Sequence, residues 1–330
     1  MSGPVPRALI TGISGQDGGF LAEQLSGLGW EVSGIVTPHS PVPSWVKALP
    51  AVHLDATDIS DADAVHGIVS KRAPNYIFHL AGISSVFQSW QDPLLVSRVN
   101  SLGSVCVFEA AYKLQQSSGS EVRVVNASSA EIFGGTHDSP QSESSLVAPI
   151  SPYGVTKAFS HSMAHAYRER GLFVSNAILY NHESPRRPLS FVTRKITRAA
   201  AEIASGVRES VKLGDLTARR DWGWAPEYVD AMLKIAVTRV ADDFVLGTGE
   251  SHSVMDFVRH AFKAAGIDDW SRYVEFDSSL KRRAESIELV ADARKAAEVL
   301  SWKPSVGFDS VVKAMVEFDL NDVNRRLQGE

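Results

Sequence analysis

Thr11-Gly-Ile-Ser-Gly-Gln-Asp-Gly18 follows directly on the apolar run Ala8-Leu-Ile10 and leads into a helical pattern from about Gly19 to Leu28. Its glycines, Gly12, Gly15 and Gly18, fall between a strand and a helix. Glycine at this spacing permits a tight turn and lets the backbone approach a pyrophosphate, while the helix N-terminus adds oriented N–H groups and a positive dipole. An isolated three-glycine pattern is weak. As the turn after the first strand of an alternating chain it marks a dinucleotide-binding unit. Gly12, Ile13, Ser14, Gly15, Gln16, Asp17 and Gly18 are therefore the expected phosphate-loop contacts.

The alternation continues outward. A second strand, Glu31–Val36, ends at Thr37-Pro-His-Ser40, where an acidic residue would select NAD and an arginine NADP. Neither is present. Nothing there repels a ribose phosphate, and Thr37, His39 and Ser40 can donate to it, so NADP is expected over NAD. Val52–Asp55 reads as a third strand followed by Ala56, with Asp55 either accepting from the adenine amine or capping the helix over Asp61–Arg72. Strand Tyr76–Leu80 runs into Ala81-Gly-Ile-Ser-Ser85, small residues that suit close packing of a dinucleotide against Leu80, Ala81, Gly82 and Ser84. A long amphipathic helix is predicted from about Pro93 to Gln115. Strand Val122–Ala127 then delivers Ser128, Ser129 and Glu131 to the carboxyl end of the sheet, where open α/β folds bind ligands.

Ser151-Pro-Tyr-Gly-Val-Thr-Lys157 reads as the first turns of another helix, with Ser151 as cap and Pro152 at the first helical position. Tyr153 and Lys157 are four residues apart, on one helical face. An ammonium beside a phenol lowers a pKa that starts near ~10 and gives a base suited to removing an alcohol proton while its hydride leaves. The polar stretch 135–145 just upstream reads as a mobile edge of that site. Strand Phe173–Tyr180 closes the regular part. Helices near 191–204, 226–239, 254–265, 292–300 and 309–320 follow, with short strands at 211–213 and 243–246. The pattern is α/β: a Rossmann-type doubly wound parallel sheet over residues 1–180, with a returning segment around 225–248, and a smaller mixed α/β C-terminal lobe over 181–330 for substrate.

Length and composition allow the chain to bury a large core. The 330 residues are 44% hydrophobic with formal net charge −5 and no long basic run, which argues against nucleic acid as a partner. The one cysteine, Cys106, lies in an apolar stretch and excludes an internal disulfide framework or a cysteine metal cluster. There is no signal-peptide pattern and no run of ~20 apolar residues, so a soluble cytoplasmic protein without membrane partners is expected.

These motifs, with Tyr180-Asn-His-Glu-Ser-Pro-Arg-Arg187, Phe191-Val-Thr-Arg-Lys-Ile-Thr197, Leu213-Gly-Asp215 and Arg219-Arg-Asp-Trp-Gly223, resemble the extended short-chain dehydrogenase/reductases. Within that superfamily the resemblance is to the GDP-mannose 4,6-dehydratases. It covers nearly the whole chain, to Ser301-Trp-Lys-Pro304. It implies that Tyr153, supported by Lys157 and Ser129, takes the proton from a sugar 4-hydroxyl as the hydride passes to NADP. Glu131 then removes the C5 proton, water leaves C6 and the hydride returns there. His182 and Arg187 would help hold the cofactor, as would Tyr153 and Lys157. Ser85, Asn181, Val192, Lys195, Arg220, Arg283 and Glu285 would meet the nucleotide-diphosphate sugar.

The chain departs from the family's pattern at several positions. Thr37 and Pro38 stand where these dehydratases carry a basic pair that contacts cofactor phosphate and supports tetramer contacts. Leu95 lies where a tyrosine is usual, Trp224 where a histidine is, and Ser129 replaces threonine with its hydroxyl kept. A homodimer is expected, paired through Val105, Phe108 and Tyr112 of one helix and Phe159, Met163 and Tyr167 of another. A 4-epimerase or 4-reductase of the same fold would need the Tyr/Lys pair but no carboxylate for C5. A non-catalytic nucleotide-binding regulator would need neither.

Overall fold

The structure is a computed structural model that describes residues 4–49, 51–277 and 288–328. β1 (Arg7–Thr11) turns through the glycine loop into α1 (Gln16–Gly27). β2 (Glu31–Val36), the short α2 (Ser44–Lys47), β3 (His53–Ala56), α3 (Ala62–Arg72) and β4 (Tyr76–His79) follow. α4 (Val86–Gln91) and α5 (Pro93–Val96) lead through a π-helical stretch, Ser97–Leu102, into α6 (Gly103–Ser118). The predicted long helix is thus present but widened near its start, and Ser117 and Ser118 complete it before Gly119 ends it at φ 66°.

β5 (Arg123–Ser129), α7 (Pro152–Glu169) and β6 (Phe173–Leu179) finish the first half. Beyond them come β7 (Asn181–Glu183), α8 (Val192–Ala204), β8 (Val211–Leu213), β9 (Arg219–Trp224), α9 (Ala225–Ala236) and β10 (Asp243–Leu246). β11 (Ser251–Ser253), α10 (Val254–Ala264), β12 (Val274–Phe276), α11 (Arg294–Leu300) and α12 (Phe308–Leu327) end the chain.

Seven strands form one sheet in the order β10-β6-β5-β4-β1-β2-β3, with parallel neighbours throughout. Because both faces are covered, its strands read as apolar runs; all seven residues of β6 are buried. One face packs on α1, α9 and α11 through Leu21, Leu25, Met232, Ile235 and Leu300. The other packs on α3, α6 and α7 through Val65, Phe108, Ala111 and Ala164. The order in which successive strands are added reverses between β1 and β4, which opens a crevice at the strands' carboxyl ends.

A separate core, with Ile196, Phe257, Val312 and Met315, joins α8, α10 and α12 in the smaller lobe, flanked by the short sheets β11-β9-β7 and β12-β8. Arg194 on α8 ties this lobe to the crevice. Its guanidinium bonds the buried Asp319 of α12 and donates to the Pro185 carbonyl (2.9 Å). The continuous helix Pro93–Ser118 is long and apolar enough to cross a membrane, but half of its apolar window is buried in the protein, as befits a core helix. Cys106 is buried on it.

Candidate active site

Gly12 adopts φ 72°, and a Cβ there would stand 2.9 Å from the Ala81 backbone. A Cβ on Gly18 would come within 2.4 Å of the Gly12 carbonyl oxygen. Only glycine lets α1 start this close to β1 and β4. Gly15 caps α1 without any side-chain acceptor, which suits the helix end to a pyrophosphate. Thr11 accepts from the Leu80 and Ala81 N–H groups (both 3.1 Å), lacing the two strand ends that flank the cradle. Ile13 is buried beneath it, Ser14 is half-buried, and Gly82 and Ser84 are exposed at its rim. These features fit a dinucleotide.

Thr37, His39 and Ser40 are exposed just past β2, in a turn closed by the Ser40 N–H on the Thr37 carbonyl (3.2 Å). At the end of β3, Asp55 accepts from Arg72 Nε (2.7 Å) and Lys71 Nζ (3.5 Å), and the Arg72 hydrogen bond holds its carboxyl below the usual range. It is not a helix cap: Asp61 caps α3, accepting from the Ala64 N–H (3.0 Å). Ala56 is exposed beside it. Ser85 is engaged as the cap of α4.

α7 begins as its sequence requires. Ser151 Oγ accepts from the Gly154 N–H (3.0 Å) and Pro152 opens the helix. Tyr153 is buried and hydrogen-bonded to Ser129, yet its phenol is pushed up to about 12. Burial is the main cause. The Ser129 hydrogen bond and the Arg187 charge pull it down, whereas the Glu131 carboxylate and Asp17 push it up. Burial outweighs any lowering by Lys157, so the phenol stands above its ordinary value rather than below it as the sequence suggests. The Lys157 ammonium instead donates to the Ala127 carbonyl (2.7 Å), where burial drives it down to about 8. It stands beside Gly82, 3.7 Å from where a Cβ would lie, on the cofactor side of the crevice.

Glu131 rides on a single 3₁₀ turn, Ala130–Phe133, that extends β5. Ser129 Oγ caps this turn by accepting from the Glu131 N–H (3.2 Å). The Glu131 carbonyl packs on Gly154, where a Cβ would approach it to 2.7 Å. Ser129, Glu131 and Tyr153 are thereby brought together by β5 and the first turn of α7.

β7 closes the opposite wall. His182 is buried with both ring nitrogens committed: Nδ1 to the Tyr180 carbonyl (2.7 Å) and Nε2 to Asp17 Oδ2 (2.8 Å). Its ring stacks on Tyr228 at 4.7 Å. Gln16 donates to the His182 carbonyl (3.0 Å) and accepts from Ser184 Oγ (2.7 Å). Burial alone would raise the Asp17 carboxyl and lower the His182 ring, but their mutual charge and hydrogen bond reverse both, so Asp17 is lowered and His182 raised. His182 therefore acts on the glycine loop through Asp17 rather than through a free ring nitrogen.

Arg187 stacks on Phe191 at 4.0 Å, lies 3.4 Å from Glu183, and its charge reaches Tyr153, Asp17 and His182. Asn181 sits on β7 opposite Trp222, Val192 is exposed at the start of α8, and Trp224 packs against the small-lobe core. Lys195 is half-buried, with its ammonium lowered by burial and by Arg208. Arg220 lies on β9 and donates to the Arg219 carbonyl (2.6 Å). Arg283 and Glu285 lie outside the described residues.

Two supporting residues escape a motif reading. Asn100 holds Ile83 by both its N–H (2.8 Å) and carbonyl (3.1 Å), and donates to Thr156 (3.1 Å), pinning the strand-end loop to α7. His79 bridges Thr11 (2.9 Å) and Ser104 (3.1 Å), and burial with the nearby Lys157 charge lowers it to about 3, so its ring is neutral. An asparagine in the π-helical stretch and a strand histidine carry no local signal of these distant partners. The stretch expected to be a mobile edge is instead tied down. Gln141 is fully buried and exchanges backbone bonds with Val290 and Asp292 (both 2.8 Å).

Residues 9–315 match the family model described as GDP-mannose 4,6 dehydratase. The chain is 41% identical over 339 residues to the GDP-mannose 4,6 dehydratase 2 of Arabidopsis thaliana, covering 98% of this chain and 89% of that protein. Among solved structures it resembles UDP-glucose 4-epimerase of Thermotoga maritima with UDP-glucose (TM-score 0.85, 24% identity, 96% of this chain and 99% of that one). It also resembles MoeE5 in complex with UDP-glucose and NAD (TM-score 0.82, 25% identity, 97% and 99%).

Proposed function

The chain belongs to the GDP-mannose 4,6-dehydratase family, and we propose that it removes water from a GDP-linked hexose, GDP-mannose first, to leave a 4-keto-6-deoxy sugar. The observation that supports this reading is the Glu131 turn packed on Gly154 at the first turn of α7, with its N–H bonded to Ser129 and the Glu131 charge acting on the Tyr153 phenol. Among proton acceptors, redox chemistry at C4 needs the phenol only. A second base beside it is what elimination across C5 and C6 requires.

The glycine loop, Asp55, the strand-end residues Leu80–Ser84 and Lys157 would hold a nicotinamide dinucleotide. When bound, that group supplies a hydride acceptor that later gives the hydride back. NADP is the proposed form, because Thr37, His39 and Ser40 are exposed past β2 with no carboxylate among them; weighing the nucleotide released on denaturation tests this.

Tyr153 takes the proton from the sugar 4-hydroxyl and Ser129 orients that oxygen. A phenol held at about 12 is almost wholly protonated at neutral pH, and the positive ring of an oxidised nicotinamide, when bound, would favour its ionisation. The 4-ketone so formed acidifies C5, Glu131 removes that proton, and water departs from C6. Lys195 and Arg220 meet the diphosphate and base, and Arg283 and Glu285 share that role only as the sequence resemblance implies. The working unit is a cytoplasmic homodimer.

Mass spectrometry of the purified protein incubated with GDP-, UDP-, CDP- and dTDP-hexoses tests the proposal. A product lighter by one water, from the GDP sugar, is expected. Unchanged mass with a new isomer would make it an epimerase, and no turnover of any sugar would overturn the enzymatic reading.

A further inference from the structure

On α7, Tyr153, Lys157, His161 and His165 recur every four residues and so share one face of the helix. The first two belong to the active site; the second two turn toward the edge strand β10, where they meet Asp243. His165 Nε2 lies 2.6 Å and His161 Nε2 3.4 Å from Asp243 Oδ2, and the three ligand atoms lie within 4.8 Å of one another. The two rings are 5.1 Å apart and tilted by 43°.

We propose that His161, His165 and Asp243 form a binding site for a divalent transition cation of the zinc type, fastening α7 to β10 one helical turn beyond Lys157. Tetrahedral zinc with metal–ligand distances of about 2.0–2.2 Å separates its ligand atoms by roughly 3.3 Å. The His161–Asp243 spacing already matches. The His165–Asp243 hydrogen bond must open, and the His165 side chain, half exposed to solvent, is free to move. Solvent would complete the coordination from that open side.

The groups behind the ligands are those such a site needs. Asp243 Oδ1 accepts from Arg168 (2.7 Å) and from Asn176 (2.9 Å), which orients the carboxylate and leaves Oδ2 to face the imidazoles. Arg168 also keeps the carboxyl ionised, at the cost of repelling a cation. His161 Nδ1 pairs with Ser128 Oγ at 3.3 Å. With that nitrogen protonated, Nε2 presents its lone pair to the site, the arrangement by which outer groups fix a metal-binding histidine. Two imidazoles and one carboxylate suit zinc or its neighbours rather than calcium or magnesium.

The test is titration of tag-free full-length protein, stripped with a chelator, at about pH 7.5, where free imidazole is neutral. Calorimetry with Zn²⁺ should give one site per chain, and Co²⁺ should develop the intense visible absorption of four-coordinate cobalt. His165→Gln changes a half-exposed side chain and should fold normally by near-ultraviolet circular dichroism. It should weaken Zn²⁺ by more than about 100-fold, beyond what losing a mere supporting group does, and abolish the Zn²⁺-induced rise in Tm. His161→Gln should do the same. Absence of one-to-one binding, or Zn²⁺ affinity unchanged in His165→Gln, would overturn the site.

Discussion

Opposing charges meet at Tyr153. Glu131 and Asp17 disfavour its phenolate, whereas Arg187 and the Ser129 hydroxyl favour it. Glu131 is thus coupled to the residue it works beside. Glu131→Gln removes the C5 base and also a negative charge that raises the phenol. C4 oxidation should survive, with its pH profile moved to lower pH, while elimination stops. Stopped-flow absorbance should show reduced nicotinamide accumulating with substrate and no dehydrated product; normal turnover would remove Glu131 from the mechanism. Gly154 tests the placement rather than the group. Alanine gains up to about 1 kcal/mol in helix propensity, but its Cβ would sit 2.7 Å from the Glu131 carbonyl oxygen and 3.2 Å from Pro149 Cβ. Displacing a catalytic carboxylate by about 1 Å can cost 100-fold. Gly154→Ala should therefore keep its fold and lose about 10- to 100-fold in kcat; an unchanged kcat would show that the turn's position is not limiting.

Among the elements, β7 and the glycine loop are joined by a titratable link. The unfolded His182 pKa is near ~6.5, and Asp17 holds it higher in the folded protein. The stabilisation from that rise is full below ~6.5 and is lost as pH climbs through the raised value. The Asp17 contribution is present above its unfolded value near ~3.9 and is lost as pH falls through the lowered one. Dinucleotide affinity, set by the loop that Asp17 belongs to, should fall by up to about tenfold per pH unit through the raised His182 titration. His182→Gln should flatten that dependence in a fluorescence titration; an unchanged slope would separate the pair from cofactor binding. The elements themselves were unequally legible in sequence. Strand–glycine–helix, the apolar strands and the capped start of α7 carry their information within a dozen residues. β7, β9 and β11 do not, because strands of three to six residues that pair across 181–253 show no periodicity of their own. Gln141 is the sharpest case. A polar residue in a polar loop reads as solvated, yet it is buried because Tyr180 Oη (2.8 Å), the Val290 N–H (3.0 Å) and the Glu288 carbonyl (3.1 Å) satisfy its amide. The partner of Lys157 was hidden for a similar reason: helical spacing places it on the face of Tyr153, but only the fold shows the Ala127 carbonyl that its ammonium meets.

For the molecule as a whole, the apolar surface indicates how copies of the chain should associate. Phe108 and Tyr167, expected at a subunit contact, are buried within the chain and meet edge to face at 5.7 Å, so they belong to its own core. Val105, Tyr112 and Met163 are only half-buried. Several exposed apolar side chains lie on these or adjoining helices: Leu102 at the end of the π-helical stretch, Val155 and Phe159 on α7, and Phe87, Trp90 and Leu94 on α4 and α5, which pack against α7. Leu94 is 83% and Trp90 64% exposed. Large apolar groups gathered in this way on a monomer mark an interaction surface, and one patch used twice about a two-fold axis closes as a dimer. The sequence resemblance implies that growth to a tetramer would use the segment after β2. Thr37 and Pro38 supply no cation there, so assembly should stop at two chains. Light scattering after size exclusion should give twice 35.8 kDa. Val155→Glu with Phe159→Glu should halve that mass, while Val207→Glu, an exposed apolar position on the smaller lobe, should leave it unchanged. A wild-type mass near four chains would overturn the inference from Thr37 and Pro38. A single chain, or a dimer that survives the double substitution, would overturn the placement of the interface on α7.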